Sequence, residues 1–184
     1  MDFVTLKELL TVVGIPGALV AAWRTVTVLI NNNAERKREN RHKQAAVAYE
    51  ILKETFANEK ARAAMLMLDW DGRNYHDKER NLIHNISHYD LSMALVLDAV
   101  SFTEKECYIR DCFEDLFDRF ELIQNYIDID FIHAQDVVVP FSYYAKIITE
   151  KVRWFNAFLN GYGYRGAGKF IALASTYYVV QDDS

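Results

Sequence analysis

Apolar residues fall in two distinct patterns along this chain. From Leu9 to Ile30 they are almost continuous: 22 residues of which fifteen are apolar and only Arg24 is charged. At about 1.5 Å per residue a helix of that length reaches roughly 33 Å, enough for a hydrocarbon core of about 30 Å. From Gln44 onward apolar residues recur every three or four positions, the spacing of helices that bury one face. Ala45, Ala48, Tyr49, Leu52 and Phe56 mark the first. Asn58 is placed to cap a second, with Ala61, Ala64, Met65 and Leu68 inward. Asp69-Trp70-Asp71-Gly72-Arg73-Asn74 then reads as a turn in which Gly72 supplies positive φ. A third helix is expected from about Lys78 to Val100, with Leu82, Ile86, Tyr89, Met93, Val96, Leu97 and Val100 as one stripe.

Thr103-x-x-Glu106 is a capping box, in which each side chain satisfies the other residue's backbone N–H. Behind it Ile109, Phe113, Leu116, Phe120, Ile123 and Ile127 make the cleanest amphipathic pattern in the chain. Val137-Val138-Val139-Pro140 breaks the pattern and reads as extended. A helix over about Phe141–Leu159 should turn Tyr144, Ile148, Val152, Phe155 and Leu159 inward and close at Asn160-Gly161. The apolar tail Phe170–Val180 fits a short helix or a strand. The expected fold is therefore all-α: an N-terminal membrane or interface helix (1–33), a basic segment (34–43) and an antiparallel helical bundle (44–184). The short connections suit antiparallel neighbours.

Composition changes this picture little. With 184 residues, 51% apolar and 26% charged, the chain is an ordinary one-domain length and excludes disorder. Two cysteines cannot form a disulfide framework, and unpaired thiols suit a reducing compartment. Charge changes it more. The net of −5 excludes a generally basic nucleic-acid binder. It also hides a segregation. Residues 34–63 carry eight bases against five acids, whereas residues 64–136 carry six against sixteen. The bases concentrate in Arg36, Lys37, Arg38, Arg41 and Lys43, directly after the apolar run.

An apolar run followed by cations is the grammar of a bilayer helix whose trailing side stays in the cytosol. The run is too long for a secretory signal and its charges lie on the wrong side. Leu19, Val20, Trp23, Arg24, Val28 and Leu29 would face lipid or another subunit, with Arg24 reaching back toward the headgroups. The basic run would meet anionic headgroups. Pro16 offers another reading. A helix starting there leaves only Pro16–Ile30, the length of a buried core or interfacial helix, packed within the chain or between subunits. The location expected is the bacterial inner membrane with the C-terminal domain cytoplasmic, and the partners expected are lipid, further copies of the chain and other proteins.

Motifs with chemical meaning are few. Gly163-Tyr-Arg-Gly-Ala-Gly168-Lys169 has phosphate-loop spacing, but Phe170 replaces the magnesium-binding hydroxyl and only 15 residues follow. His84 and His88, four apart on the expected third helix, would share a face and suit a metal. They carry the alternative of a metal-assisted hydrolase. Asp69-x-Asp71 and Asp128-x-Asp130 offer oxygen ligands, yet sit at expected helix ends, where Asp serves caps and turns. Aromatics interleaved with Lys and Arg crowd the last third, as in a core with a protein-contact face. No cofactor and no catalytic residue is indicated.

The apolar run through Lys43, the helix start Asn58-Glu-Lys-Ala-Arg-Ala-Ala-Met65, and His88-Tyr-Asp-Leu-Ser-Met-Ala-Leu95 leading to Thr103 together resemble an uncharacterised family of small bacterial proteins, a domain of unknown function. The likeness covers residues 10–130. It implies an N-terminal membrane helix, a basic stretch and a cytosolic helical domain. Similar small anchored proteins occur in phage-defence settings, which implies an effector or accessory subunit that self-associates and perturbs the membrane. Pro16 and Arg24 inside the apolar run, and the glycine-rich C-terminus, depart from that pattern.

Overall fold

The computed structural model describes residues 3–76, 82–96 and 101–182; the side chains of residues 3–22, 25, 152 and 179–182 lie outside that description. The chain divides into two units, Met1–Lys43 and Gln44–Ser184. Helix α1 spans Phe3–Ala57 and continues through Pro16, so a helix beginning at that proline is not what forms. From Gln44 on, α1 belongs to the second unit, where Ala48 is buried. Asn58 ends α1 by turning extended and caps α2 (Glu59–Asp69), its side chain accepting from the Ala61 N–H at 2.7 Å. Ala61, Ala64, Met65 and Leu68 are buried as the spacing predicts.

After α2 the chain does not start the expected long helix. Gly72 takes φ +73°, and β1 (Arg73–His76) pairs antiparallel with β2 (Leu82–Ile86) in a two-stranded hairpin. Residues 77–81 lie outside the described residues. The helix then begins only at His88. Ser87 is extended and forms a capping box with Asp90, so α3 runs His88–Ala94. Ile86 is buried as expected, but within α3 the expected stripe is reversed. Leu91, Ala94 and Leu95 are buried, whereas Tyr89, Met93 and Val96 are exposed. Leu97 and Val100 fall outside the described residues.

Helix α4 (Glu104–Asp128) is the centre of the second unit. Thr103 and Glu106 form the predicted box, with Glu106 Oε2 accepting from the Thr103 N–H at 2.7 Å. Ile109, Phe113, Leu116, Phe117, Phe120 and Ile123 are all fully buried. Asp130 at φ +56° ends the helix, and the Phe131 N–H returns to the Tyr126 carbonyl at 2.9 Å. Residues Val137–Val139 are not extended. They lie in α5 (Ala134–Val138) and a 3-10 turn, Val139–Phe141. Burial of Val137 and Val138 overrides their strand preference, and Pro140 sits early in the turn, where its missing N–H is not needed.

Next come α6 (Ser142–Glu150) and α7 (Val152–Tyr162), joined at Lys151 where one helix was expected. Gly163 at φ +76°, not Gly161, closes α7. The tail is helix α8 (Arg165–Asp182), which packs on α4 and α6 through Ala167, Phe170, Ile171 and Ala174. The second unit is thus mainly helical, with one small hairpin.

Phenylalanines from the 3-10 turn, α7 and α8 meet those of α4. Phe117 lies 6.1 Å from Phe155 edge-on and 6.0 Å from Phe158, and Phe120 lies 5.2 Å from Phe141 and 4.8 Å from Phe170. Such pairs add about 0.5–1.5 kcal/mol each beyond burial. One cation is buried beside them. Arg110 donates to the Ala94 and Val96 carbonyls at 2.5 and 3.0 Å and to the Tyr162 hydroxyl, with its guanidinium 4.0 Å from the Phe102 ring. It thereby satisfies the carbonyls left open where α3 ends.

Two predictions follow from this packing. Phe117→Ala should lower the unfolding free energy by about 3–5 kcal/mol in denaturant melts, while Tyr89→Ala, at an exposed position, should change it by about 0.5 kcal/mol or less. The second concerns acid. Burial pulls the Asp90 carboxyl up, but hydrogen bonds from Ser87 and Lys105 outweigh it and hold the group below its ordinary value. The unfolded chain therefore binds the proton more readily. Asp90 contributes stability above the ordinary carboxylate range and loses it as pH falls through the depressed value. Asp90→Asn should cost about 0.5–2 kcal/mol at neutral pH and flatten that part of the acid denaturation curve.

Candidate functional site

The segment Trp23–Lys43, in the first unit, carries both features that the sequence singles out. Trp23 is 74% exposed and Ile30 62%, with Val26, Val28 and Leu29 also exposed. At about 100° per residue, Trp23, Val28, Leu29 and Ile30 fall near 0°, 140°, 240° and 340° around the axis. Apolar surface therefore covers most of the circumference, from Val28 round to Trp23, with Thr27 and Arg24 in the remaining sector. Arg24 is exposed among them, and Thr27 turns its hydroxyl back to the Trp23 carbonyl at 2.8 Å, hiding its polarity. Arg36, Lys37, Arg38, Arg41 and Lys43 follow, all exposed, with Lys43 2.7 Å from Glu39 one turn before it. The Leu19 and Val20 side chains lie outside the described residues. Among the described residues no helix is long and apolar enough to cross a membrane.

The histidine pair does not share a helix face. His84 lies on β2, its ring 5.8 Å from that of Tyr108, whereas His88 opens α3. The helical spacing that would have joined them is broken by the strand and by the cap at Ser87. Among the described residues no three His, Cys, Asp or Glu side chains gather where a metal would sit. His88 instead faces Lys151, whose Nζ is 3.2 Å from Nε2. Burial pushes that amine down, against the pull of Asp71 and Glu150. Its position at the joint between α6 and α7 was invisible in the sequence.

The aspartate pairs serve the fold. Asp71 Oδ1 accepts from the His88 N–H at 2.6 Å, and Asp69 Oδ2 is 3.4 Å from the Tyr144 hydroxyl. Asp128 accepts from Gln124 at 2.7 Å, and Asp130 terminates α4. The glycine-rich segment opens α8, and the place a phosphate would take is filled by the chain itself. Glu121 Oε2 accepts from the Ala167 N–H at 2.7 Å, and a Cβ on Gly166 would come within 2.7 Å of that carboxylate. A negative group at this helix start complements its dipole. The aromatic third divides as expected into core and surface, with Phe155, Phe158 and Phe170 fully buried and Tyr143 and Tyr162 exposed.

A feature missed in the sequence is a cleft of about 520 Å³ in the second unit, walled by α2, by the hairpin and by Tyr108 of α4. Its residues are scattered over fifty positions, and no local pattern marks them.

Compared with known proteins, the chain matches no family model, no curated protein sequence and no solved structure.

The thiols give a check on this geometry. Burial pushes the Cys112 thiol up to about 12, while Cys107, on the same helix, is exposed. A disulfide-exchange reagent such as Ellman's should titrate one thiol in the native protein and two after denaturation, and Cys107→Ser should abolish the native reaction.

Proposed function

We propose that this protein is a non-enzymatic, membrane-anchored helical scaffold. It acts through self-association or protein partners from the cytoplasmic side of a bacterial inner membrane. The observation that carries this reading is apolar surface over most of the circumference of α1 between Trp23 and Ile30, ending in a cationic run. An apolar face that broad needs apolar surroundings wider than a single neighbouring helix supplies, and lipid supplies them. The five cations then suit anionic headgroups, each worth about 1 kcal/mol near such a surface. Arg24 lies six residues before Ile30, within reach of the same interface. The depletion of Lys and Arg from residues 1–8 orients the anchor with its start outward. The phage-defence effector or accessory role implied by the family resemblance is the proposed setting.

The full chain should remain in the membrane pellet through alkaline carbonate extraction. In flotation assays it should prefer vesicles containing phosphatidylglycerol over pure phosphatidylcholine. Substituting Arg36, Lys37, Arg38, Arg41 and Lys43 by Gln should remove that preference, by about fivefold per charge. Recovery as one defined soluble species without detergent would instead establish a helix buried between subunits.

A further inference from the structure

The cleft between α2 and the hairpin has the makings of a ligand site. Its volume, about 520 Å³, falls within the range of small-molecule pockets. Its walls combine apolar surface with charged groups, which include the Glu59 carboxylate and the Lys60 ammonium at the start of α2. Ala63 and Leu66 of α2, Ile83 of β2 and the Tyr108 ring form an apolar surface. Arg62 and Arg73 supply two guanidiniums from opposite walls. Neither arginine has an ion-pair partner among the described residues, although Lys60, beside Arg62, is matched by Asp111 at 2.9 Å. Arg73 rests over the Trp70 ring, 5.8 Å away, which restrains it without neutralising it. Beneath lies Tyr75, 6% exposed, whose hydroxyl is buried without a hydrogen-bond partner. An orphaned buried hydroxyl is costly, and native structures rarely leave one.

From this combination we infer that the cleft binds a small organic oxyanion, with a phosphate or carboxylate on the two guanidiniums and a flat apolar body against Leu66, Ile83 and Tyr108. Guanidinium suits this task because its planar fork meets both oxygens of such a group. The site is separate from the segment on which the membrane reading rests, so either can fail alone.

The test titrates phenyl phosphate into the full-length, nitrogen-15-labelled chain in nonionic detergent and follows the backbone amides. Inorganic phosphate, phenol and benzoate are run alongside. Saturable shifts are expected at Ala63, Arg73, Tyr75 and Tyr108. Phenyl phosphate should bind at least tenfold more tightly than inorganic phosphate or phenol. Benzoate should compete for the same amides. The double variant Arg62→Gln, Arg73→Gln should weaken phenyl phosphate at least tenfold, while Arg153→Gln, on exposed α7 surface, should leave it unchanged. Both cleft arginines are exposed, and unshifted amides elsewhere in the double variant would certify its fold. The inference is overturned if no saturable shift appears at those amides. It is equally overturned if binding survives loss of both arginines, or if inorganic phosphate binds as tightly as phenyl phosphate.

Discussion

The second unit depends on one constraint: α4 carries more large apolar side chain on one face than it can leave in water. Six large apolar residues of that helix are sealed completely, and three of the elements around them contribute a phenylalanine, or two, to the same contact. At roughly 1.5–3 kcal/mol per buried large side chain, this face outweighs any local preference of the segments that cover it. That is why the valines before Pro140 become helical and why α8 is helical despite its β-branched and aromatic tail. Arg110 is the polar counterpart. A guanidinium in such surroundings persists because its donors close the carbonyls at the end of α3 and its face stacks on aromatic rings.

What the sequence made legible was local. Asn58, Gly72 and the Thr103–Glu106 box act within a few residues of themselves, and each does what its chemistry dictates. The face of α4 was legible because 25 residues repeat one period without interruption. The region 78–100 was misread because its apolar residues fit a helical period while a stronger local signal stood among them. Ser87-x-x-Asp90 is the same capping grammar as Thr103-x-x-Glu106, and it fixes a helix start at His88. Given that start, residues 82–86 cannot continue the helix, and His84 and His88 part company. The exposed Tyr89–Met93–Val96 face follows from the same shift, since covering Leu91 and Leu95 turns the other side outward.

The cleft was illegible for a different reason. Arg62 and Arg73 are eleven positions apart and look like two ordinary surface cations in a chain. Only the fold of the hairpin beside α2 brings them to one concavity. Likewise the glycine-rich segment looked like an anion site from its spacing. Its helix start does hold an anion, but that anion is Glu121, a residue 46 positions earlier.

Charge segregation decides which anions the cleft can admit. Residues 64–136 carry a net charge of −10, so the stretch that contributes β1, β2 and α4 is acidic on balance. At physiological salt the field is screened within about 8 Å. A polyanion such as nucleic acid spans many such lengths, and most of its phosphates would face the acidic residues of α4 and the loops. A ligand small enough to fit the cleft meets the two guanidiniums at close range, with Lys60 and the Glu59 carboxylate also on the lining. The same negative surroundings that discourage extended polyanions therefore leave a small oxyanion its contacts, and the apolar walls add the discrimination that a bare charge pair lacks.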